Sequence, residues 1–494
     1  MNIIAIVAFI AITAFFIRKF YKHVQRYPPG PAPLPIIGNL LQIGSDHIQE
    51  QLDKMSKSYG PIFTLFLPFP VVVITNYKYF KEAFVTQGDK FLGRSQAPPE
   101  TLFQKKKNTG ILTSDGDIWR EQRRTALKIF RDFGMGKQLM EEQVKRSVVE
   151  MLEQLKTYEG KVFDPRWTIQ LCVGNVINES IFGYHYSYKD MDKYVHFVNI
   201  LQEHFSMVRT IPALIVQACE WLKYFPIIGY YGYRKIEQNF SKYYAFIEEE
   251  VEKQIATFNE DDNPETFVHA YMQEMQKNPM LDKENLVATT SDFWVAGMET
   301  TSTSLRWHIL YMIKHQDIQA KVREEIIRVV GHDRLPSLAD KTNMPYTQAV
   351  IHEIQRHSNM VPFLGYHRCT ESTMLFDTFI PKDTLVWGQI YSILKNDPSF
   401  DKPEKFHPDR FLNDDGKSLN KEKLDRLIPF SIGRRSCAGE SLARLELFII
   451  FSSLLQKYIF VPVDKEVDLN PIFSAVLLPK DYQVKIIPVD RNQS

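Results

Sequence analysis

The polarity pattern divides the chain into an apolar head, a proline-rich joint and a long mixed body. Asn2 to Ile17 is almost wholly apolar, and Arg18, Lys19, Lys22 and Arg26 follow. A spanning helix needs roughly 20 residues, with a range down to about 17, so the run predicts a membrane signal-anchor over residues 1–20. A cleaved leader would carry positive charge ahead of the apolar run and a small-residue cleavage site, and this head has neither. Basic residues after the run place the body on the cytosolic side. Residues 27–35 read YPPGPAPLP. That proline density forbids helix and predicts a stiff, extended hinge over 21–35, leaving 36–494 as one domain.

Within the body, residues 62–67 and 71–75 are strand-like around a break at Pro68 and Pro70, which predicts a β-hairpin. Arg94 and the run Lys105, Lys106, Lys107 fall in a long irregular stretch of the kind that lines pockets. Residues 119–131 have helical spacing, with Trp119 and Arg123 on one face and Arg120, Arg124 and Lys128 on another. Residues 140–260 read as mostly helical, and Cys172 there sits in an apolar run as core. Residues 211–229 are apolar but broken by prolines. They suit either core or a roof dipping into a membrane surface, and the anchor favours the roof. Residues 282–314 are the longest helical candidate, long enough at about 1.5 Å per residue to cross the domain. Strand-like residues fill 373–387, and the apolar run from Leu442 to Leu455 reads as a helix opening beyond Gly439.

Composition narrows the picture. No linker, charge block, low-complexity tract or repeat divides the 494 residues, and 44% apolar content fills a sizeable core. Lys and Arg (60) nearly cancel Asp and Glu (59), so nothing points to nucleic acid. The four cysteines, Cys172, Cys219, Cys369 and Cys437, form no CxxC or CxxH pair. Zinc and thioredoxin-like chemistry are therefore not indicated, and the body belongs in a reducing compartment.

Candidate chemistry concentrates at Phe430-Ser-Ile-Gly-Arg-Arg-Ser-Cys-Ala-Gly439. A lone cysteine is usually a small buried hydrophobe. Here glycines flank it at 433 and 439, permitting turns that wrap backbone N–H groups around the sulfur, and a helix N-terminus follows. A thiolate so held is a strong electron-donating ligand suited to haem iron. Mid-helix, small Ala296 and Gly297 let a flat ring approach the backbone, beside Glu299, Thr300 and Thr301. Glu353 and Arg356 pair at i,i+3.

These residues resemble the cytochrome P450 family. Phe430, Gly433, Arg435, Cys437 and Gly439 match its haem-ligand signature, Phe-x-x-Gly-x-Arg-x-Cys-x-Gly. Residues 296–301, AGMETT, resemble its oxygen-activation motif. Trp119-x-x-x-Arg123, Glu353-x-x-Arg356 and Pro408-Asp-Arg410-Phe411 resemble three more of its motifs, in the family's order. Residues 438–446 look most like the drug- and lipid-oxidising branch called family 2. The resemblance implies a mainly α-helical fold with small β-sheets (α+β). It implies haem b ligated by Cys437, with Arg94, Trp119, Arg123, His367 and Arg435 on the propionates. Phe430, Gly433 and Gly439 would shape the loop, with Ala296 and Gly297 against the ring. Glu299 and Thr300 would handle protons, and Glu353, Arg356 and Arg410 would form a buried scaffolding triad. It further implies a class II monooxygenase of the endoplasmic reticulum membrane, its catalytic domain facing the cytosol. NADPH–cytochrome P450 reductase, which carries the NADPH and flavins, would dock on the basic face of Arg120, Arg124 and Lys128, with cytochrome b5 as a second donor. The substrate would be lipophilic: a fatty acid, a steroid or a xenobiotic, in a pocket lined by Phe103, Phe205, Phe293 and Phe363 and touched by residues 473–476. Relatives that rearrange peroxides without a reductase tend to lack the acid–threonine pair, which this chain has. A haem sensor without turnover is the other alternative.

Overall fold

A computed structural model describes residues 3–44, 47–67, 69–96, 100–133, 138–474 and 476–490. Asn2, Pro68, Ala475 and the side chain of Phe103 lie outside the described residues.

The apolar head forms α1 (Ile3–Val24), with no buried side chain, long and apolar enough to cross a membrane. It continues through the basic cluster past residue 20. The proline segment is bound to the body rather than extended freely. Pro29 O accepts the Thr64 N–H at 3.1 Å, and the Asn39 N–H donates to Phe66 O at 2.7 Å. The rings of Phe20, His23 and Tyr27 gather on Phe66, with centroids 5.7–6.2 Å away. A Cβ on Gly30 would stand 2.0 Å from Thr64 O, so this docking requires glycine.

The remaining helices are α2 (Ile48–Tyr59), α3 (Tyr77–Lys81), α4 (Gly116–Asp132), α5 (Gln138–Lys156), α6 (Arg166–Phe182), α7 (Asp192–Met207), α8 (Ile211–Ala218), α9 (Pro226–Gly229), α10 (Lys235–Thr257), α11 (Phe267–Met275), α12 (Lys283–Lys314), α13 (Gln316–Val330), α14 (Pro345–Ser358), α15 (Ile390–Asn396), α16 (Lys421–Arg426) and α17 (Glu440–Lys457). The strands are β1 (Ile62–Phe66), β2 (Pro70–Ile74), β3 (Gly93–Arg94), β4 (Val162–Phe163), β5 (His367–Arg368), β6 (Thr373–Leu375), β7 (Thr378–Ile380), β8 (Leu385–Gly388), β9 (Tyr458–Pro462), β10 (Ile472–Phe473), β11 (Leu477–Leu478) and β12 (Val484–Pro488). The fold is thus mainly α with small β-sheets, as the sequence implies.

The core is helical. α12 and α6 are buried along most of their length, polar side chains such as Gln170, Asn178, Ser302 and His308 included. Asp282 caps α12, its carboxylate accepting the Asn285 N–H at 2.7 Å. Trp294 anchors α12 to α6 by donating to Asn178 Oδ1 at 2.8 Å, and Trp307 donates to Leu477 O at 2.9 Å. Cys172 is fully buried. β1 and β2 pair antiparallel, Ile62 opposite Ile74, at one side of a five-stranded sheet ordered β1-β2-β8-β5-β3. Arg94 is therefore in a strand, not in an irregular loop. Two-residue strands carry no alternation from which to read them, and the partner strand lies far along the chain.

Residues 211–229 are partly core: Ala213 and Val216 are buried, Ala213 in a small cluster with Leu102, Val208 and Ile236. Pro212 is the second residue of α8 and Pro226 the first of α9, and Ile211, Trp221, Tyr224 and Ile227 are 61–77% exposed, an unusual concentration of outward apolar surface.

Candidate functional site

A cavity of about 360 Å³ lies between α12 and the loop before α17. One wall is the face of α12 at Phe293, Ala296, Gly297, Thr300 and Ser304, residues three and four apart. The opposite wall is Phe430, Ser431 and Arg435 to Gly439, with Cys437 among them. Met360 to Gly365, less Pro362, and His367 line a third side. Phe293 and Phe363 are in this lining; Phe205 packs against the helical core instead.

The cysteine loop is held by its backbone. The Cys437 N–H donates to Phe430 O at 3.0 Å and the Ser436 N–H to Gly433 O at 3.1 Å. Gly433 has φ +88°, and a Cβ there would lie 1.9 Å from Phe84 O. Gly433→Ala is therefore expected to spoil the loop. The left-handed conformer alone costs roughly 1–2 kcal/mol, and the clash with backbone adds to it. The haem content of the purified variant, per polypeptide, should fall several-fold. Gly439 differs from expectation: its φ is −95°, which any residue adopts, and a Cβ there would meet nothing within 4 Å. Its glycine keeps space open against the cavity rather than permitting a turn. The Cys437 side chain is exposed into that space. The cavity withdraws it from bulk water, which pushes its thiol up, while the Gly439 N–H and the Arg123 charge act in the opposite direction.

Basic side chains converge on the same cavity. β3 pairs with β5 so that Arg94 stands directly opposite His367. Arg94 Nε donates to Leu112 O at 3.0 Å, and Arg123 Nη2 to Ser436 O at 2.7 Å. Arg435 stacks 4.0 Å from the Trp119 ring centroid and donates to Leu92 O and Ser114 O, both at 2.7 Å. Burial, with Arg94 and Arg123 nearby, lowers the Arg435 pKa to about 8, opposed by Asp115. His367 is held far below its ordinary value by burial and by Arg94. Asp115 itself pairs with Arg368 at 2.6 Å. Among the described residues, Trp119 Nε1 is buried without a partner.

On α12, Thr300 lines the cavity and its hydroxyl donates to Ala296 O at 2.8 Å. Glu299 is buried but turned to the other side, outside the cavity lining. Two lining carboxyls escaped the sequence reading. Asp292 Oδ2 accepts the N–H groups of Ile111 and Leu112 at 2.6 and 2.9 Å, the residues whose carbonyls hold Arg435 and Arg94. Burial lifts its pKa to about 6. Its position four residues before Ala296 was the available signal. Glu446, fully buried on α17, is pushed by burial to about 8; an acid inside the apolar run after Cys437 was the clue.

Behind the cavity, Glu353 sits with Arg356 Nε at 2.7 Å and Arg410 Nε at 3.1 Å. The exposed bases Arg120, Arg124 and Lys128 pair with Asp117, Glu121 and Glu274.

The residues present fit a flat, iron-bearing, dianionic macrocycle. Small residues face one wall and a lone sulfur the other. Four buried or half-buried bases crowd the rim, and among the described residues an indole N–H lacks an acceptor. Two carboxylates placed there would answer those donors and raise the basicity of His367 and Arg435.

Comparison with known proteins agrees. A family model described as Cytochrome P450 matches residues 28–486. The chain is 38% identical over 496 residues to cytochrome P450 2H2 of Gallus gallus, covering 98% of each chain. It is 39% identical over 481 residues to cytochrome P450 2C11 of Rattus norvegicus, covering 95% of this chain and 94% of the other. With cytochrome P450 2C8 of Homo sapiens it shares 36% over 477 residues, 94% and 95% of the two chains.

Proposed function

The chain belongs to the cytochrome P450 family, and from that premise we propose a membrane-anchored monooxygenase that draws electrons from NADPH through NADPH–cytochrome P450 reductase and oxidises a fatty acid, a steroid or a xenobiotic. The enzyme is a haem b monooxygenase of lipophilic substrates. When bound, haem b supplies the redox-active iron that activates dioxygen for insertion of one oxygen atom.

The observation that carries the reading is the opposition of Cys437 to Ala296, Gly297 and Thr300 across one cavity with a basic rim. Cys437 would hold the iron. Arg94, Trp119, Arg123, His367 and Arg435 would hold the propionates, and Gly433 with Phe430 would fix the loop. Phe293 and Phe363 would offer apolar walls to the substrate and exclude water. Thr300 would hold a proton at its Oγ1 on the cavity side of α12, and Glu299 would resupply it from the other side.

α1 would anchor the protein in the endoplasmic reticulum membrane with residues 36–494 in the cytosol. The apolar patch of α8 and α9 would dip into the same membrane surface. The reductase, or cytochrome b5, would dock on Arg120, Arg124 and Lys128. Their present partners are exposed ion pairs worth about 0–1 kcal/mol each, weak enough for a partner's carboxylates to displace.

The test is Thr300→Ala in a reductase-reconstituted system. Product formed per NADPH should fall at least ~10-fold while NADPH is still consumed and peroxide appears. Unchanged coupling would remove Thr300 from the proton path. A low-spin to high-spin titration of the haem protein against lipids and xenobiotics identifies the substrate class.

A further inference from the structure

Tyr311 lies near the end of α12, past the residues that line the cavity, and is buried. Its hydroxyl stands 2.6 Å from His357 Nδ1 on α14. The other ring nitrogen, Nε2, is 3.1 Å from the Glu404 carbonyl oxygen. A carbonyl oxygen only accepts, so Nε2 carries the hydrogen and donates it. In the neutral ring Nδ1 is then bare, and the Tyr311 O–H donates to it. Burial holds His357 below its ordinary value, which keeps the ring neutral and Nδ1 able to take a proton. Other buried tyrosines donate to weaker acceptors: Tyr194 to Gln170 O at 2.8 Å and Tyr271 to the Gln122 amide oxygen at 2.6 Å. Tyr311 instead faces a base within hydrogen-bond reach, as proton transfer requires.

An aromatic path joins this pair to the cavity. Trp307 lies one turn before Tyr311 on the same helical face, with ring centroids 6.1 Å apart. The buried Trp307 donates its Nε1–H to Leu477 O at 2.9 Å. The Leu477 N–H in turn donates to Met360 O at 2.7 Å. Met360 lines the cavity, and so does Ser304, a turn before Trp307. At its other end the path reaches solvent, because His357 is half-exposed. Phe406, 4.7 Å from the Tyr311 ring centroid, and His315, stacked at 6.3 Å, cover the phenol on further sides. Burial raises the phenol above its ordinary value, so it stays protonated at neutral pH. A protonated phenol gives up an electron readily only where a base takes its proton as the electron leaves.

We propose that Tyr311 is a redox-active tyrosine, with Trp307 as its electron conduit from the cavity and His357 as its proton acceptor. Haem that has been oxidised and meets no substrate keeps its oxidising equivalents. One electron leaves Tyr311 through Trp307 and cancels one such equivalent. The phenolic O–H bond breaks and an N–H bond forms at His357 Nδ1, which leaves a neutral tyrosyl radical beside an imidazolium. A small soluble thiolate arriving at the half-exposed His357 returns the electron and becomes a thiyl radical, and His357 returns the proton. The pair thus gives the enzyme a second activity, one-electron oxidation of small thiols at the boundary of α12 and α14 rather than in the cavity.

The experiment mixes purified, substrate-free holoprotein with a peracid, freezes it rapidly and records the electron paramagnetic resonance spectrum. A tyrosyl signal that narrows on ring deuteration of tyrosine is expected. It should fall several-fold in Tyr311→Phe, which keeps the ring in place and should leave haem content and the reduced carbon-monoxide spectrum as in wild type. His357→Gln keeps a hydrogen-bond acceptor and removes the base, and it too should lower the signal several-fold. Glutathione added in a second mixing step should quench the wild-type signal. No tyrosyl signal in wild type, or one undiminished in Tyr311→Phe, overturns the assignment. A signal undiminished in His357→Gln removes His357 as the proton acceptor, and one that persists through glutathione removes the thiol step. Should Tyr311→Phe fail to take up haem, Trp307→Phe, which leaves the Tyr311–His357 pair intact, must lower the signal several-fold, and no loss there overturns the proposal equally.

Discussion

A Cys437→Ser protein is expected to keep its fold and lose its chemistry. The loop is fixed by the Cys437 and Ser436 N–H groups and by the close passage of Gly433 past Phe84, not by the sulfur. The side chain stands exposed in the cavity, so the substitution removes no packed core atom and should change unfolding free energy by less than about 1 kcal/mol. The ligand is another matter. A serine oxygen is hard and, at neutral pH, protonated; it cannot replace a soft, electron-donating thiolate at iron. Loss of an outer-shell partner of a metal ligand typically costs 10–100-fold, so loss of the ligand itself should cost more than ~100-fold in turnover. The reduced carbon-monoxide complex should lose the absorption that marks a thiolate-ligated haem. Retention of that absorption would remove Cys437 as the ligand. Cys219→Ser, at a partly exposed cysteine outside the cavity lining, should leave the spectrum as it is.

Much of this site is readable from the chain because its parts are local. The cysteine loop is one short segment whose glycines and cysteine stand at fixed spacing. Trp119 and Arg123 share a helical face at i,i+4, and the small residues of α12 recur on one face of a helix whose length is visible in the pattern. What escapes is what pairing at long range creates. Arg94 meets His367 only because β3 lies against β5, and strands of two residues leave no alternation to detect. Asp292 is one acid in a helix until the Ile111–Leu112 turn folds over it. The amides of α6 and α7 that influence Glu299 come from segments far along the chain. The proline segment is extended by its own stereochemistry, but its docking comes from a strand edge and an aromatic ring at Phe66. Gly439 shows the reverse case: the residue stands out in the sequence, and the reason for it lies in the space it leaves rather than in its dihedral angles.

Glu353→Ala should be the most damaging substitution away from the cavity. Glu353 is wholly buried, and Arg356 and Arg410 are each 2% exposed beside it. The carboxylate also accepts the His407 N–H at 2.9 Å, tying α14 to the segment that carries Pro408 and Phe411. Backbone carbonyls take the outer donors: Leu394 and Pro403 receive Arg356 at 3.2 and 2.8 Å, and Asp401 receives Arg410. Without Glu353 both guanidiniums keep part of their hydrogen bonding and lose the only carboxylate paired with them among the described residues. Breaking a buried pair in this way costs about 3–5 kcal/mol, against a total stability of roughly 5–15 kcal/mol. Folded, haem-binding protein should be scarce in Glu353→Ala, and urea unfolding of what remains should show a midpoint well below wild type. The cause can be separated from the loss of the pair itself. Replacing Glu353, Arg356 and Arg410 together by apolar residues of similar volume removes the stranded charge as well, and such replacements are often neutral. The triple variant should therefore be more stable than Glu353→Ala alone. If it is less stable, the three residues act through their geometry, holding α14 against the Pro408 segment, rather than through the balance of buried charge.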